Sequence, residues 1–126
     1  MAAGKHSFII EQGATTNLNV QWTDASGSAV DLTGYQARMQ IRPVIESSDV
    51  YISLSSSLQP DGTGLNLNGS DGVTSLTSGS IGIYISAYSS SLLNFTEAYY
   101  DLEMINGREV TRLLEGKVRL SKNVTR

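Results

Sequence analysis

The sequence of 126 residues contains no cysteine, one histidine and two prolines. Without cysteine the chain can form no disulfide and no thiolate metal site, and it has no thiol nucleophile. His6 is the only imidazole, and no cysteine or second histidine accompanies it. A metal site needs several ligands at fixed spacing, and a Ser-His-Asp triad needs a well-placed histidine. The sequence therefore predicts no metal site and no catalytic residues.

Long apolar runs and an excess of positive charge are also missing. No segment approaches the roughly 20 apolar residues of a membrane-spanning helix, and the N-terminal MAAGKHSFII lacks the apolar centre of a signal peptide. The formal net charge is -3, whereas nucleic-acid-binding domains usually carry a basic stripe. We therefore expect no membrane and no nucleic-acid partner for a protein made in a cytoplasm.

Signatures of cofactor and nucleotide sites are absent as well. The chain has no Walker loop, no dinucleotide fingerprint and no GxSxG elbow. Its PDGTG and GSDG segments faintly resemble calcium loops, but they match neither the EF-hand nor the nonapeptide repeat. Since Asp-Gly is common in turns, the sequence predicts no cofactor and no enzyme activity.

What the chain does contain is small polar residues and short alternating segments. Only 17% of its residues are charged, and the Ser, Thr, Asn and Gly that replace charge suit strands joined by polar turns. Strand patterns occur at residues 7–13, 16–22, 35–42, 50–54, 65–68, 73–77 and 80–87, and a hairpin follows at 98–120. Gly, Ser, Asp and Asn dominate residues 55–80, which we expect to be the most mobile segment.

This rhythm predicts an all-β fold, a single Ig-like antiparallel β-sandwich of about 7–9 strands. The sandwich should span residues 1–126, with residues 1–6 as a flexible N-terminus. The only plausible helical turn lies near residues 87–94.

The hairpin YYDLEMINGREVTRLLEGKVRL, residues 99–120, is the most highly charged segment of the chain. On its first arm Ala98, Tyr100, Leu102 and Met104 share one face, and on its second arm Val110, Arg112 and Leu114 alternate with Thr111, Leu113 and Glu115. Asn106-Gly107 predicts a type I′ turn between the arms. Gly116 interrupts the second arm, which indicates a bulge there.

Three interpretations of these charges differ in what the protein would do. The charges can form a solvated sheet face with cross-strand ion pairs, or a docking surface, or a catalytic pair at Asp101 and Glu103. Catalysis would need burial of those carboxylates, which nothing in the sequence predicts. The candidate interface residues are Tyr99, Glu103, Arg108, Glu109, Arg112, Arg38 and Arg42.

Two long segments together resemble a known family. They are FIIEQGATTNLNVQWTDASGSAVDLTGYQARMQIR, at residues 8–42, and YYDLEMINGREVTRLLEGKVRLSKNVTR, at 99–126. The order of four motifs resembles that in a small β-sandwich domain of tailed bacteriophages. These motifs are QG before a strand ending in Trp22, DLTGY before ARMQIR, DGVTSLT, and the ending VTRLLEGKVRLS. That domain occurs in tail, baseplate and fibre-associated virion proteins, including the N-terminal domains of baseplate upper proteins.

The resemblance, from Phe8 to Thr125, implies an Ig-like sandwich with a structural role in the virion. It implies a tail or baseplate adaptor that docks onto other tail proteins or links fibres, present in several copies as a symmetric homo-oligomer. The sequence ends at Arg126, directly after the last predicted strand, which favours an adaptor over a receptor-binding protein. A capsid decoration, cement or neck protein is the alternative in the same class, and a carbohydrate-binding module using Tyr99 or Tyr51 is the alternative in another class.

Overall fold

The computed structural model describes residues 4–122, which form two packed β-sheets joined by turns and loops. The strands are β1 (Gly4–Lys5), β2 (Phe8–Glu11), β3 (Thr16–Gln21), β4 (Gln36–Arg42), β5 (Ile52–Ser55), β6 (Gly64–Asn66), β7 (Ser80–Ile85), β8 (Glu97–Asn106) and β9 (Glu109–Ser121). A 3₁₀ turn spans Leu76–Ser78, and one short helix, α1, spans Ala87–Ser91.

The strands form a six-stranded larger sheet and a three-stranded smaller sheet. The larger sheet has the order β1-β9-β8-β4-β5, with β2 also pairing with β9, and the smaller sheet has the order β3-β7-β6. Apart from β1 and β2, these orders correspond to the GFCC′ and BED strands of Ig-like sandwiches. The prediction of an all-β sandwich is confirmed.

A single hydrophobic core lies between the two sheets. Alternation supplies it from both sides: Met39 on β4 and Leu102 on β8 point inward from the larger sheet, and Ile83 on β7 points inward from the smaller one. Each is at most 2% exposed, and full burial of such a side chain stabilises a fold by about 1.5–3 kcal/mol. The inward face that alternation predicts for residues 98, 100, 102 and 104 is confirmed.

The N-terminal segment differs from its prediction. Residues 1–3 lie outside the described residues, but residues 4–6 are paired rather than free: Gly4 and Lys5 run parallel to Leu114 and Glu115. The His6 amide donates to the carbonyl of Glu115 at 3.0 Å, and its own carbonyl accepts from the Tyr100 hydroxyl at 2.8 Å. The expectation of a flexible N-terminus is therefore corrected for residues 4–6.

Gly116 permits this approach of the N-terminal segment. A Cβ atom at this position would lie 2.0 Å from the His6 carbonyl oxygen, far inside van der Waals contact. The glycine therefore marks a close crossing of two segments rather than the predicted bulge.

The bulge lies three residues earlier, at Leu113. Glu103 pairs with Arg112 and Leu102 pairs with Leu114, so Leu113 is an extra residue with no cross-strand partner on β8. Such an insertion reverses which face the following side chains occupy. It turns Leu114 towards the inner face beside Leu102, while Arg112 remains on the outer face beside Glu103.

The hairpin tip also differs in detail. Asn106 pairs with Glu109, so the two central turn residues are Gly107 and Arg108. Gly107 has a φ of 62°, and no non-glycine residue among 4–122 has a positive φ. A two-residue turn with positive φ only at its first central residue is typical of type II′ rather than the predicted type I′.

The segment between β5 and β7 has fewer strand residues than predicted, and side-chain hydrogen bonds hold its backbone. The strand predicted at 73–77 is instead a loop that leads into the 3₁₀ turn. Asp71 accepts from the backbone amides of Val73 and Thr74 at 3.0 and 3.1 Å, and Asn68 donates to the carbonyl of Thr74 at 2.9 Å. The helical turn near 87–94 is confirmed as α1, which Ser86 caps.

Candidate functional site

The outer face of the larger sheet forms an open groove of about 950 Å³, here called the charged groove. Strands β4, β8 and β9 form its floor, and the loop of residues 43–51 between β4 and β5 contributes one wall. Volumes of about 300–1,000 Å³ are typical of ligand sites. Because the floor is hydrogen-bonded sheet, the side chains on it stand at fixed spacing.

Register places the outer side chains of the three strands level with one another. The rows, in the order β9, β8, β4, are Lys117–Tyr99–Arg42, then Glu115–Asp101–Gln40, then Arg112–Glu103–Arg38. Directly opposite side chains on one face lie about 4.5–5.5 Å apart at Cβ. The groove therefore carries bands: a basic band around an aromatic ring, an acidic band, and a band of mixed charge.

Among the described residues, three ion pairs join neighbouring strands of the larger sheet. Arg38 Nε lies 2.7 Å from Glu103 Oε1, and Arg112 Nε lies 3.4 Å from Asp101 Oδ2. Lys5 Nζ from β1 lies 3.1 Å from Glu115 Oε1. Each pair is partly exposed, so each contributes about 0–1 kcal/mol to stability.

The Tyr99 row is different, because its two cations have no carboxylate partner within 4.0 Å among the described residues. Lys117 Nζ lies 5.9 Å from the centre of the Tyr99 ring, within cation–π range. Arg42 donates to the backbone carbonyl of Ser47 and, at 2.6 Å, to the side-chain oxygen of Gln40. This end of the groove therefore combines a half-buried aromatic ring with two cations that form no ion pair with a described residue.

Asp101 occupies the acidic band with a raised pKa. Desolvation by the surrounding strands is the main cause, and the negative charge of Glu103 adds to it, whereas the Arg112 guanidinium opposes the shift. Even so, the Asp101 side chain is 40% exposed and engaged by Arg112, and Glu103 is held by Arg38. The arrangement presents the two carboxylates as partners of arginine within a patterned surface.

Five of the seven candidate interface residues meet in the charged groove: Tyr99, Glu103, Arg112, Arg38 and Arg42. The other two, Arg108 and Glu109, do not join them. They lie at the tip of the β8–β9 hairpin, exposed and outside the lining of the groove.

Sequence reasoning left several groove residues out of the candidate set: Lys117, Glu115, Asp101, Lys5 and Ile45. Counting outward from the hairpin tip in strict register would pair Tyr99 with Gly116, and only the bulge at Leu113 brings Lys117 opposite Tyr99. Lys5 arrives through parallel pairing of β1 with β9, which no local pattern signals. Ile45 is 71% exposed. It follows Pro43, which ends the strand, so the sequence could have indicated an apolar side chain in a loop beside the sheet.

Residues 4–122 contain no group of three or more His, Cys, Asp or Glu side chains placed to hold a metal ion. Within the described residues, no helix is both long and apolar enough to cross a membrane.

Comparison with protein-family models gives no match, and comparison with curated proteins gives none either.

Proposed function

We propose that this protein is a structural subunit of a tailed-phage virion, a small tail or baseplate adaptor that docks onto other tail proteins or links fibres without catalysis. The resemblance of residues 8–125 to virion β-sandwich domains motivates the class. The observation that carries the proposal is the charged groove, where five candidate interface residues from three strands share one open surface.

A banded surface of this kind suits docking in a fixed register. Charged rows that alternate across an interface favour one alignment of the partner and penalise shifted ones, because like charges then meet. Single contacts of this type are weak, but a symmetric virion repeats them in every copy. The partners that we propose for this surface are other baseplate, tail or fibre subunits.

Mass spectrometry of purified virions tests the class. We expect peptides of this chain in particles of the phage that encodes it, and particles without such peptides would contradict the virion role. Electron microscopy of a labelled copy separates a tail or baseplate position from a capsid decoration, cement or neck position.

Charge reversal tests the surface. Arg38→Glu and Arg112→Glu should together lower incorporation into particles, because both residues lie in the mixed-charge row of the groove. Arg108→Glu is the matched control, since Arg108 is an exposed arginine outside the groove. Equal incorporation of the double variant and the control would exclude the groove as the docking surface.

A carbohydrate-binding module is the second candidate function, and the Tyr99 row favours it. An accessible aromatic ring between two cations can stack on a sugar that bears a carboxylate or phosphate. A glycan array should then show acidic glycans bound by the wild type and lost on Tyr99→Ala. An array without any bound glycan would dismiss this function.

A further inference from the structure

The smaller sheet ends in an unusually unguarded edge strand, β3. Native proteins protect exposed edges with charged residues, proline, bulges or very short strands, because an open edge pairs with other chains. The other edges follow this rule: β6 has three residues, β5 has four, and the β1–β2 edge is interrupted and carries Lys5 and Glu11. By contrast, β3 has six residues, TNLNVQ, without a charge or a proline.

The pairing of β3 with β7 determines which backbone groups of β3 point towards the open edge. The Trp22 amide donates to the carbonyl of Gly79 at 2.8 Å, which fixes the alternation along the antiparallel ladder. Leu18 and Val20 therefore direct their backbone groups towards β7. Asn17, Asn19 and Gln21 direct their N–H and C=O groups away from it, towards the open edge.

The side chains of these residues do not occupy their own edge. The Asn19 carboxamide oxygen accepts from the Ser70 amide at 3.0 Å, and the Asn17 amide donates to the Ser70 carbonyl at 3.4 Å. The Gln21 amide donates to the carbonyl of Ser78. These bonds lie on the outer face of the smaller sheet, and among residues 4–122 no strand other than β7 pairs with β3.

We propose that β3 pairs antiparallel with β3 of a second copy of this chain, about a two-fold axis at Asn19. In this register Asn19 pairs with Asn19 of the partner subunit, and Asn17 pairs with Gln21 of the partner subunit. Both are hydrogen-bonded pairs, because each residue directs its backbone groups outward. The two smaller sheets become one continuous sheet of twice the width, in a closed isologous dimer.

A second copy fits this edge because the strand is its own complement. Leu18, Val20 and Trp22 are only half-buried in the single chain, and the two-fold register sets Leu18 beside Val20 of the partner subunit. No like charges meet, since residues 12–23 contain no charged side chain. The inference goes beyond the proposed virion role, because self-association is a property of the isolated chain whatever that role is.

Analytical ultracentrifugation of the full chain tests the association itself. Between about 1 μM and about 1 mM, a range that covers weak specific complexes, the sedimentation coefficient should rise from the monomer value to the dimer value. A protein that stays monomeric across this range would overturn the proposal.

Two matched double variants test the register. Asn17→Lys with Gln21→Lys places two ammonium groups opposite each other in both cross-strand pairs, whereas Asn17→Lys with Gln21→Glu makes both pairs attractive. Both variants lose the same side-chain amides, so a shared effect on the monomer cancels. We expect dimer dissociation constants that differ by about tenfold or more, with the doubly basic variant weaker. Equal constants would overturn the register.

Amide hydrogen exchange followed by NMR locates the interface without any substitution. In a dimeric sample the amides of Asn17, Asn19 and Gln21 should be protected, and on dilution their protection should fall while that of Leu18 and Val20 persists. Fast exchange at the first three in a dimeric sample would overturn the proposal. Protection that appears only on adding another virion protein would also overturn it and would assign the edge to a strand of that protein.

Discussion

The outer faces of the two sheets are built in opposite ways. The larger sheet presents charged side chains to an open groove and, among the described residues, joins some of them in three ion pairs. The smaller sheet has no charged residue in any of its strands. Its outward amides bind the loop that follows β6, through contacts such as Ser70 with Asn19 and Ser78 with Gln21.

Glycine explains why the loop can cover one face and not the other. Gly82 pairs with Asn19 at the centre of the smaller sheet, and a Cβ there would lie 2.7 Å from the Gly69 carbonyl oxygen. The backbone of the loop thus rests directly on β7. The larger sheet has Tyr99, Asp101 and Glu103 at the corresponding central positions of β8, and these side chains line the open groove. One face satisfies its polar groups within the chain, and the other leaves its charges accessible to a partner.

The largest effect should come from forcing the covered face open. Gly82→Ala should lower the free energy of unfolding by about 1–3 kcal/mol, because the added methyl group collides with loop backbone. Denaturant unfolding measures this. Gln36→Ala, at an exposed outer position of β4, is the control and should change stability by less than about 0.5 kcal/mol. Equal losses of unfolding free energy in Gly82→Ala and Gln36→Ala would show that the outer face of the smaller sheet is as open as that of the larger sheet.

A smaller effect should distinguish the two faces by salt. Asn19→Ala removes a neutral hydrogen bond and Glu103→Gln weakens an ion pair, so each should lower stability by up to about 1 kcal/mol. At 1 M salt the Debye length falls to about 3 Å, so only the Glu103→Gln loss should shrink. Parallel denaturant curves at low and high salt test this, and a salt-dependent Asn19→Ala loss would contradict it.

The smallest effect concerns the pKa values of the aspartates, which shift in one direction in the loops and in the other on the larger sheet. Hydrogen bonds, first from the Ser86 hydroxyl and then from the Thr63 amide, lower the pKa of Asp61, and the Val73 amide is the main cause that lowers the pKa of Asp71. Burial and Glu103 raise the pKa of Asp101 instead. Carboxyl titration by NMR should therefore find Asp101 above 3.8 and the two loop residues below it.

The sign of the stability change follows from these directions. A lowered folded pKa means that Asp61 and Asp71 contribute stability above their unfolded pKa of about 3.9, which is lost as the pH falls through the folded value. Asp101 binds its proton more tightly in the folded state, so its contribution is lost as the pH rises through its folded pKa. A titration of Asp101 below Asp61 would contradict this division.

Local patterns predicted the parts of the fold that depend on neighbours in sequence. Alternation identified β4 within residues 35–42 and identified β8 with its inner face in the first hairpin arm, and these two strands hold most of the candidate site. Tyr100 belongs to the face that alternation predicted for the first hairpin arm and is buried, while the adjacent Tyr99 lines the groove.

The parts that were wrong depend on strand pairing or on side-chain bonds to the backbone, which alternation of apolar and polar residues does not detect. An extra residue at Leu113 shifts the whole C-terminal half of β9, and strict alternation cannot detect it. Gly116 gives the same sequence signal whether it forms a bulge or admits His6, and only parallel pairing of β1 with β9 decides between them. The strand predicted at 73–77 became a loop because Asp71 and Asn68 bind its backbone more locally than a neighbouring strand would.

The parallel pairing of β2 with β9 also has a mechanical consequence. If residues 4 and 122 are pulled apart, the load runs along these two strands in opposite directions, and the ladder from Phe8–Val118 to Glu11–Ser121 is sheared as a whole. A load across residues 97 and 121 would instead peel β8 from β9 one pair at a time. Single-molecule pulling should therefore need more force in the first geometry, and equal forces would contradict it. The fold should thus resist a force applied between residues 4 and 122. A subunit that is joined to a neighbour at each end of its chain carries its load in this direction.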